Sequence, residues 1–429
     1  MDPTLATLTE WLPNQRWFTR SADSPRLRLL GGTPLPSDDP GASVRILIVA
    51  DDTTSVVYQL PVVHRDARAA TAGSGWIGPV DDGVLIDGPR DPAFTAALLS
   101  AVAPEATAGP SEVLSGEQSN TSIIYRPPSG QPIICKVFRQ LDDGVNPDVE
   151  LQTALSGVSS PHVPATVGAL DGSWSDPADP QSTVAGTLAF AQEFLPDVED
   201  AWRVALRAAR SGEDFSAAAD RLGRATAAVH LDLARLFPTV PADAAARGEV
   251  TSIWLQRLSA AIAEVPQLLP YADEIRERYA AASGASWPAL QRIHGDYHLG
   301  QVLQVPGRGW VLLDFEGEPI RPMHERRRPD LALRDLAGML RSFDYVAGSL
   351  ALQRSDSGTA DTDDARAWAA SSREAFLAGY RSATGVTPLG PLLEALELDK
   401  AVYEAIYEAR HRPGWLAIPL GAIERLLAL

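Results

Sequence analysis

Lysine is nearly absent from this chain. Of the 37 basic residues among its 429, only Lys136 and Lys400 are lysines and the rest are arginines. Arginine is a planar fork and lysine a compact point charge, so at a tight site one does not replace the other. Each surviving lysine therefore raises the question of what holds it there. Cysteine is equally scarce. The single Cys135 excludes an intramolecular disulfide and a cysteine-based zinc site. No apolar run approaches the roughly 18 residues needed to span a bilayer. The opening MDPTLATLTEWLPNQRW lacks a basic region followed by an apolar one, so no secretory signal is expected and a cytoplasmic protein is. Positive charge is also short. A net charge of −18 disfavours nucleic acid, which needs a basic footprint, but leaves room for a nucleotide bound by a few local donors.

The composition, 45% hydrophobic and 21% charged, is that of a globular chain. Its length suits two or three domains or one large bilobal unit. Residues 1–95 read as a small α+β unit. LATLTEWL is a short helix. LRLLGG, SVRILIVA and SVVYQLPVV have strand character, separated by Gly, Pro and Asp turns. DPAFTAALLSAVA begins a helix with Asp91 as N-cap and Pro92 in its first turn. Residues 96–195 bring further strands, in SEVLSGEQSNTSIIYRP, QPIICKVFRQL and TLAFAQEFLP, with a loop at DGSWSDPADPQST. NPDVELQTAL starts a helix capped by Asn146. From 196 to 429 the chain reads as mainly helical, with apolar residues at helical spacing. Two short strands are expected to flank a polar stretch at 290–318, and 354–364 is expected to be a loop. The order is cap, mainly β lobe, mainly α lobe.

That polar stretch contains HGDYHLGQ at 294–301 and then DFE at 314–316. Phosphoryl transfer needs a carboxylate to orient the acceptor hydroxyl, oxygen ligands for Mg²⁺, a lysine against phosphate charge, and a carboxylate to fix that lysine. Asp296 is the candidate orienting base. Gln301, Asp314 and Glu316 offer the hard oxygens that Mg²⁺ prefers. His294 and His298 are expected to hold the shape of the loop rather than carry protons.

HGDYHLGQ resembles the H-G-D-x-H-x-x-N loop of aminoglycoside-phosphotransferase-like kinases, with Gln301 in place of the usual Asn. DFE resembles their metal-binding carboxylate motif. The resemblance is closer to the maltokinase-like sugar kinases of actinobacteria, a group of maltokinases and glucosamine kinases. It rests on WLPNQRWF (11–18), CKVFRQLDDGVNPDVE (135–150), QEFLPDVEDAW (192–202), HGDYHLGQVL (294–303), LLDFEGEP (312–319), RDLAGMLRSFDYVAG (334–348) and YEAIYEARHRPGWLAIPL (403–420), all in the expected order. It implies an α+β, bilobal, eukaryotic-protein-kinase-like fold with an additional N-terminal cap, and ATP and Mg²⁺ as cofactors.

The resemblance further aligns Lys136 with the ATP lysine and Glu150 with its partner on the next helix. The sequence agrees on the lysine: Ile134, Val137 and Phe138 place it in a strand, where Lys136 and Ile134 share a face. The same resemblance puts a phosphate-covering turn at SGEQSNTS (115–122). Ser119, Thr121 and Ser122 are its candidate donors, though with one glycine it is no Gly-rich loop. Gln192, Glu193, Phe194 and Leu195 match the segment that reads adenine, mostly through backbone groups.

The acceptor region is implied at 398–416. Lys400, Glu404, Glu408 and Arg412 step at i, i+4 along a helix, which on its own describes a solvated charge ladder. With the resemblance they read as a sugar platform of carboxylates, with Trp415 stacking on a ring and Asp296 and Tyr297 completing the site. Tyr297 stands where maltokinases tend to have leucine. The expected activity is therefore an ATP-dependent sugar kinase acting on glucosamine at its 6-hydroxyl. Maltose giving maltose 1-phosphate is the alternative, and an aminoglycoside or other small molecule is a third. The expected partner is a small sugar only, with no nucleic acid and no membrane, and the chain is expected to be a monomer.

Overall fold

A computed structural model describes residues 2–67, 75–114, 119–319, 321–357, 363–388 and 390–428. The chain forms two compact units, residues 1–153 with 164–196, and residues 154–163 with 197–429. The segment expected as a cap, 1–95, lies in the first unit together with the β-rich segment that follows.

The first unit holds strands β1 (Leu27–Pro34), β2 (Ala42–Asp51), β3 (Val56–Arg65), β4 (Trp76–Val80), β5 (Gly83–Asp87), β6 (Ser111–Val113), β7 (Asn120–Tyr125), β8 (Ile133–Phe138), β9 (Gln140–Leu141), β10 (Thr166–Ser175) and β11 (Thr183–Glu193), with helices α1 (Pro3–Trp11), α2 (Pro92–Val102) and the start of α3 (Pro147–Gly157). β10 takes in DGSWS, so the expected loop at 171–183 shrinks to the few residues before β11. The caps fall where the sequence puts them. Asp91 accepts from the Ala93 N–H, and Asn146 Oδ1 accepts from the Asp148 N–H at 2.8 Å.

Two antiparallel sheets result, one ordered β1-β2-β3-β5-β4 with β9 added to β3, the other β10-β11-β8-β7-β6. Alternation on β2 explains why SVRILIVA is apolar throughout. Ile46 and Ile48 face the main core with Phe94, Leu98, Ile123 and Cys135, while Leu47 and Val49 face a second core with Leu8, Leu12, Trp17 and Tyr58. Both faces of the strand are covered, so neither is polar. Gln59 Nε2 donates to the carbonyls of Phe138 (2.6 Å) and Leu188 (2.9 Å). Arg139, 1% exposed, pairs with Asp87 at 2.9 Å and lies over the Trp17 ring. With β9 on β3, these contacts weld cap and β lobe together.

The second unit contains α4 (Ala201–Ser211), α5 (Ser216–Leu236), α6 (Ala244–Glu264), α7 (Ala272–Gly284), the short α8 (Met323–Arg326), α9 (Ala332–Ser357), α10 (Asp363–Thr384), α11 (Pro391–His411) and α12 (Ala417–Leu427). A small sheet of β12 (Glu199–Asp200), β13 (Val302–Val305) and β14 (Gly309–Leu312) completes it. α5 and α10 cross at paired glycines: a Cβ on Gly223 would lie 2.0 Å from the Phe376 carbonyl, and one on Gly379 2.1 Å from that of Asp220. The aromatic centre is Phe215, Phe343 and Trp368. α9 continues to Ser357, well into the expected loop at 354–364, of which 358–362 lie outside the described residues. The strands expected to flank HGDYHLGQ instead both follow it, as the β13–β14 hairpin. Among the described residues no helix is long and apolar enough to cross a membrane.

Candidate active site

The loop 294–301 is fixed by a residue that the sequence did not single out. Asp335, in the first turn of α9 and 1% exposed, accepts from the backbone N–H groups of His294 and Gly295, each at 2.9 Å, and faces His230 Nε2 at 2.9 Å. Gly295 has φ +87°, and a Cβ there would touch the Gly317 backbone at 3.0 Å, so the turn requires glycine. His294 is buried. Its Nε2 meets the Leu313 carbonyl at 2.8 Å, and its ring lies 4.7 Å from that of Phe315. His298 Nδ1 accepts from the Gly300 N–H at 3.0 Å. Burial pushes His298 below its ordinary range, against the pull of Asp296 and with the help of Lys400. Both rings are engaged in shaping the loop.

The β13–β14 hairpin brings the two motifs together. The Leu313 N–H donates to the Gln301 carbonyl at 2.9 Å, closing the hairpin base. The Gln301 amide then lies 3.0 Å from Asp314 Oδ2. Asp314 has φ +64°, a left-handed conformation uncommon for a residue with a side chain and often found at functional sites. Carboxylate oxygens of Asp314 and Glu316 lie within 4.8 Å of each other. The Gln301 side chain beside them also carries an amide oxygen. The donor set is all oxygen and fits a hard cation.

Asp296 has one ionic partner among the described residues. Lys400 Nζ on α11 lies 3.6 Å from Asp296 Oδ1. The same ammonium is hydrogen-bonded to Glu318, itself 7% exposed. Burial alone would raise the Glu318 carboxyl; the Lys400 ammonium, with Arg334 and Arg257 nearby, instead holds it down to about 2. Burial alone would likewise lower Lys400, and Glu318 and Asp296 reverse that, so the ammonium stays charged. The scarcity of lysine and the i, i+4 ladder were the sequence signals for Lys400. Nothing in the sequence marked Glu318.

The residues expected at the acceptor each have partners within the second unit. Tyr297 is 3% exposed, and its hydroxyl is 2.8 Å from Thr226 Oγ1. Glu404 accepts from Arg341 Nε and Nη2 at 2.9 and 2.7 Å. Glu408, 1% exposed, accepts from the Tyr345 hydroxyl at 2.9 Å and from Arg412 at 2.6 and 2.9 Å. The charge ladder on α11 is thus one side of a helix–helix interface: Arg341 and Tyr345, themselves i, i+4 on α9, meet Glu404 and Glu408. Trp415 is half-buried, stacked on Tyr345 with Arg412 over its ring at 4.7 Å.

In the first unit, Lys136 lies on β8 opposite Ser122 of β7, and it and Ile134 alternate with the buried Cys135 and Val137. Lys136 Nζ pairs with Asp148 Oδ2 at 2.9 Å. Asp148 is 1% exposed, and the buried Gln152 grips its other oxygen at 2.6 Å. Asp148 lies two residues before Glu150, the helix carboxylate expected to pair with Lys136, on the same α3. Of the expected phosphate turn, 115–118 lie outside the described residues. Thr121 shares the core-side face with Ile123, and its hydroxyl accepts from Arg139 Nε at 2.9 Å; Ser122 is buried beside Lys136. Ser119 precedes β7 and is exposed. In the 192–195 segment the N–H groups of Glu193 and Phe194 donate to the Ala165 and Pro132 carbonyls, both at 2.8 Å. A base meeting this edge would use carbonyls and Leu195.

Comparison with known proteins places this geometry. Residues 11–91 match the maltokinase N-terminal cap domain, and residues 113–371 match the phosphotransferase enzyme family. A glucosamine kinase of Mycolicibacterium smegmatis is 30% identical over 331 residues, covering 72% of this chain and 78% of that protein. A glucosamine kinase of Streptacidiphilus jiangxiensis is 32% identical over 251 residues, covering 54% of this chain. There the chain spans only 56% of the relative's length. A solved structure of a glucosamine kinase in complex with glucosamine, ADP and inorganic phosphate superposes with a TM-score of 0.69 at 24% identity, covering 98% of this chain and 99% of that one; it shares the fold. The chain belongs to the phosphotransferase enzyme family.

Proposed function

We propose that this chain is an ATP-dependent sugar kinase that phosphorylates glucosamine at its 6-hydroxyl. The observation that carries the reading is the Asp296 carboxylate. It stands on a loop clamped by Asp335, and Oδ2 makes no hydrogen bond among the described residues. An orienting carboxylate must accept from the attacking hydroxyl in this way. The named relatives are glucosamine kinases, which supports the acceptor. Gln301, Asp314 and Glu316 would hold Mg²⁺, whose chemistry when bound is to neutralise phosphate charge. Lys136, aimed by Asp148, meets the phosphates of ATP. Backbone groups of 192–195 meet the adenine.

A second reading has its own observation. The charge beside Asp296 is the Lys400 ammonium, and Glu404 and Glu408 are engaged by Arg341, Tyr345 and Arg412. A cation there favours a neutral acceptor such as maltose, giving maltose 1-phosphate. ADP release with MgATP and glucosamine, maltose, glucose or an aminoglycoside decides between them. Turnover of glucosamine alone is the expected result, and turnover of maltose alone removes the amino-sugar reading.

A further inference from the structure

Glu318 has no part in the chemistry assigned so far, yet its only side-chain hydrogen bond among the described residues goes to Lys400. It is 7% exposed and immediately follows Gly317 at φ +77°. Its own carbonyl accepts from the Arg321 N–H at 3.0 Å, so its backbone is held in a turn. Lys400 is less enclosed, with 23% of its side chain exposed. A lysine stem carries four rotatable carbons, and its ammonium wanders unless something grips it. Glu318 provides the grip. The ammonium then lies 3.6 Å from Asp296 Oδ1 and 5.1 Å from the centre of the Tyr403 ring.

We propose that Glu318 is a positioning residue: it pins the Lys400 ammonium, and the pinned ammonium holds Asp296 with Oδ1 engaged and Oδ2 left for the acceptor hydroxyl. The choice of lysine fits this. In a chain that otherwise uses arginine, an arginine here would close both oxygens of Asp296 in a bidentate fork. A point charge takes one and leaves the other. The inference rests on the reading of Asp296 as the orienting carboxylate.

The test is a cycle on the full chain with MgATP and the sugar that the wild-type protein turns over. Glu318→Gln keeps the shape and removes the charge. It should lower kcat by about 10- to 100-fold, the cost of a small misplacement of a reacting group, while leaving the KM for ATP unchanged. Lys400→Met should show at least the same loss. Because Glu318 acts through Lys400, adding E318Q to K400M should cost nothing further. Losses that multiply in the double variant overturn the proposal, because a general structural weakening would add to the first. A wild-type kcat for E318Q overturns it as well. If E318Q does not fold, Glu318→Asp, which withdraws the carboxylate by one methylene, carries the same expectation, and a wild-type kcat there is equally fatal. Asp296→Asn separates the two ideas. A dead D296N beside an unaffected E318Q removes this inference alone, and an active D296N removes the reading beneath it.

Discussion

The two lysines of this chain are held in opposite ways. Lys136 sits on a strand and meets Asp148 twelve residues further on, on the next helix. Lys400 sits on a helix and meets Glu318, 82 residues before it, and Asp296 earlier still. Strand alternation decides which way Lys136 faces, and Asp148 is gripped by its own helix neighbour Gln152. Lys400 faces Asp296 only because α11 packs against a surface built from α9 and the loops before it. The first arrangement is local and survives as long as one unit keeps its strand and helix. The second is assembled from distant segments, so its strength depends on the whole helical packing.

This contrast yields tests of decreasing size. Asp296→Asn should lower kcat by about 10³- to 10⁴-fold with ATP binding retained in a nucleotide titration; a mild effect would leave Lys400 beside a carboxylate with no role. Lys136→Met should show the opposite signature, a loss on the order of 10²-fold in kcat/KM for ATP with the KM for sugar little changed. Asp148→Asn should follow it more closely than Glu150→Gln. If E150Q proves the worse of the two, Glu150 is the functional partner and the local pairing seen here is incidental.

The assembled side of the comparison predicts effects on stability. Glu404→Ala leaves Arg341 buried without its main partner and should cost about 3–5 kcal/mol in urea unfolding. An equal loss of sugar affinity in a variant of undiminished stability would return Glu404 to the acceptor site. Tyr297→Phe removes one buried hydrogen bond and should cost about 0.5–1.5 kcal/mol with no change in the ratio of glucosamine to maltose turnover. Finally, Cys135 is next to Lys136 on the opposite, buried face of β8, and burial pushes its thiol up to about 12. Alkylation at neutral pH should therefore track unfolding of the first unit, and fast labelling of the folded chain would contradict the β8 register.

Much was legible before any coordinates. The caps at Asp91 and Asn146, the strand around Lys136 and the polar motifs at 294–301 and 314–316 follow from short-range rules, because each depends on residues a few positions apart. The roles of the two histidines were legible for the same reason. The acidic ladder on α11 was not. Spacing shows that Glu404 and Glu408 share a helix face, but not that Arg341 and Tyr345 meet that face from α9. Tyr297 shows the same limit: a motif shows which residues are adjacent, not which of them turn inward toward Thr226.

The sequence by itself determined the family-like motifs, the order of cap, β-rich and helical segments, and the candidacy of Asp296, Gln301, Asp314 and Lys136. These are matters of local propensity and spacing, which the chain carries in any conformation. Only the tertiary structure decided that Asp335 clamps the 294–301 loop, that Asp148 meets Lys136, and that Lys400 and Glu318 belong beside Asp296. Those pairings are made by hydrogen bonds and charges whose reach is a few ångströms, between segments that only folding brings that close.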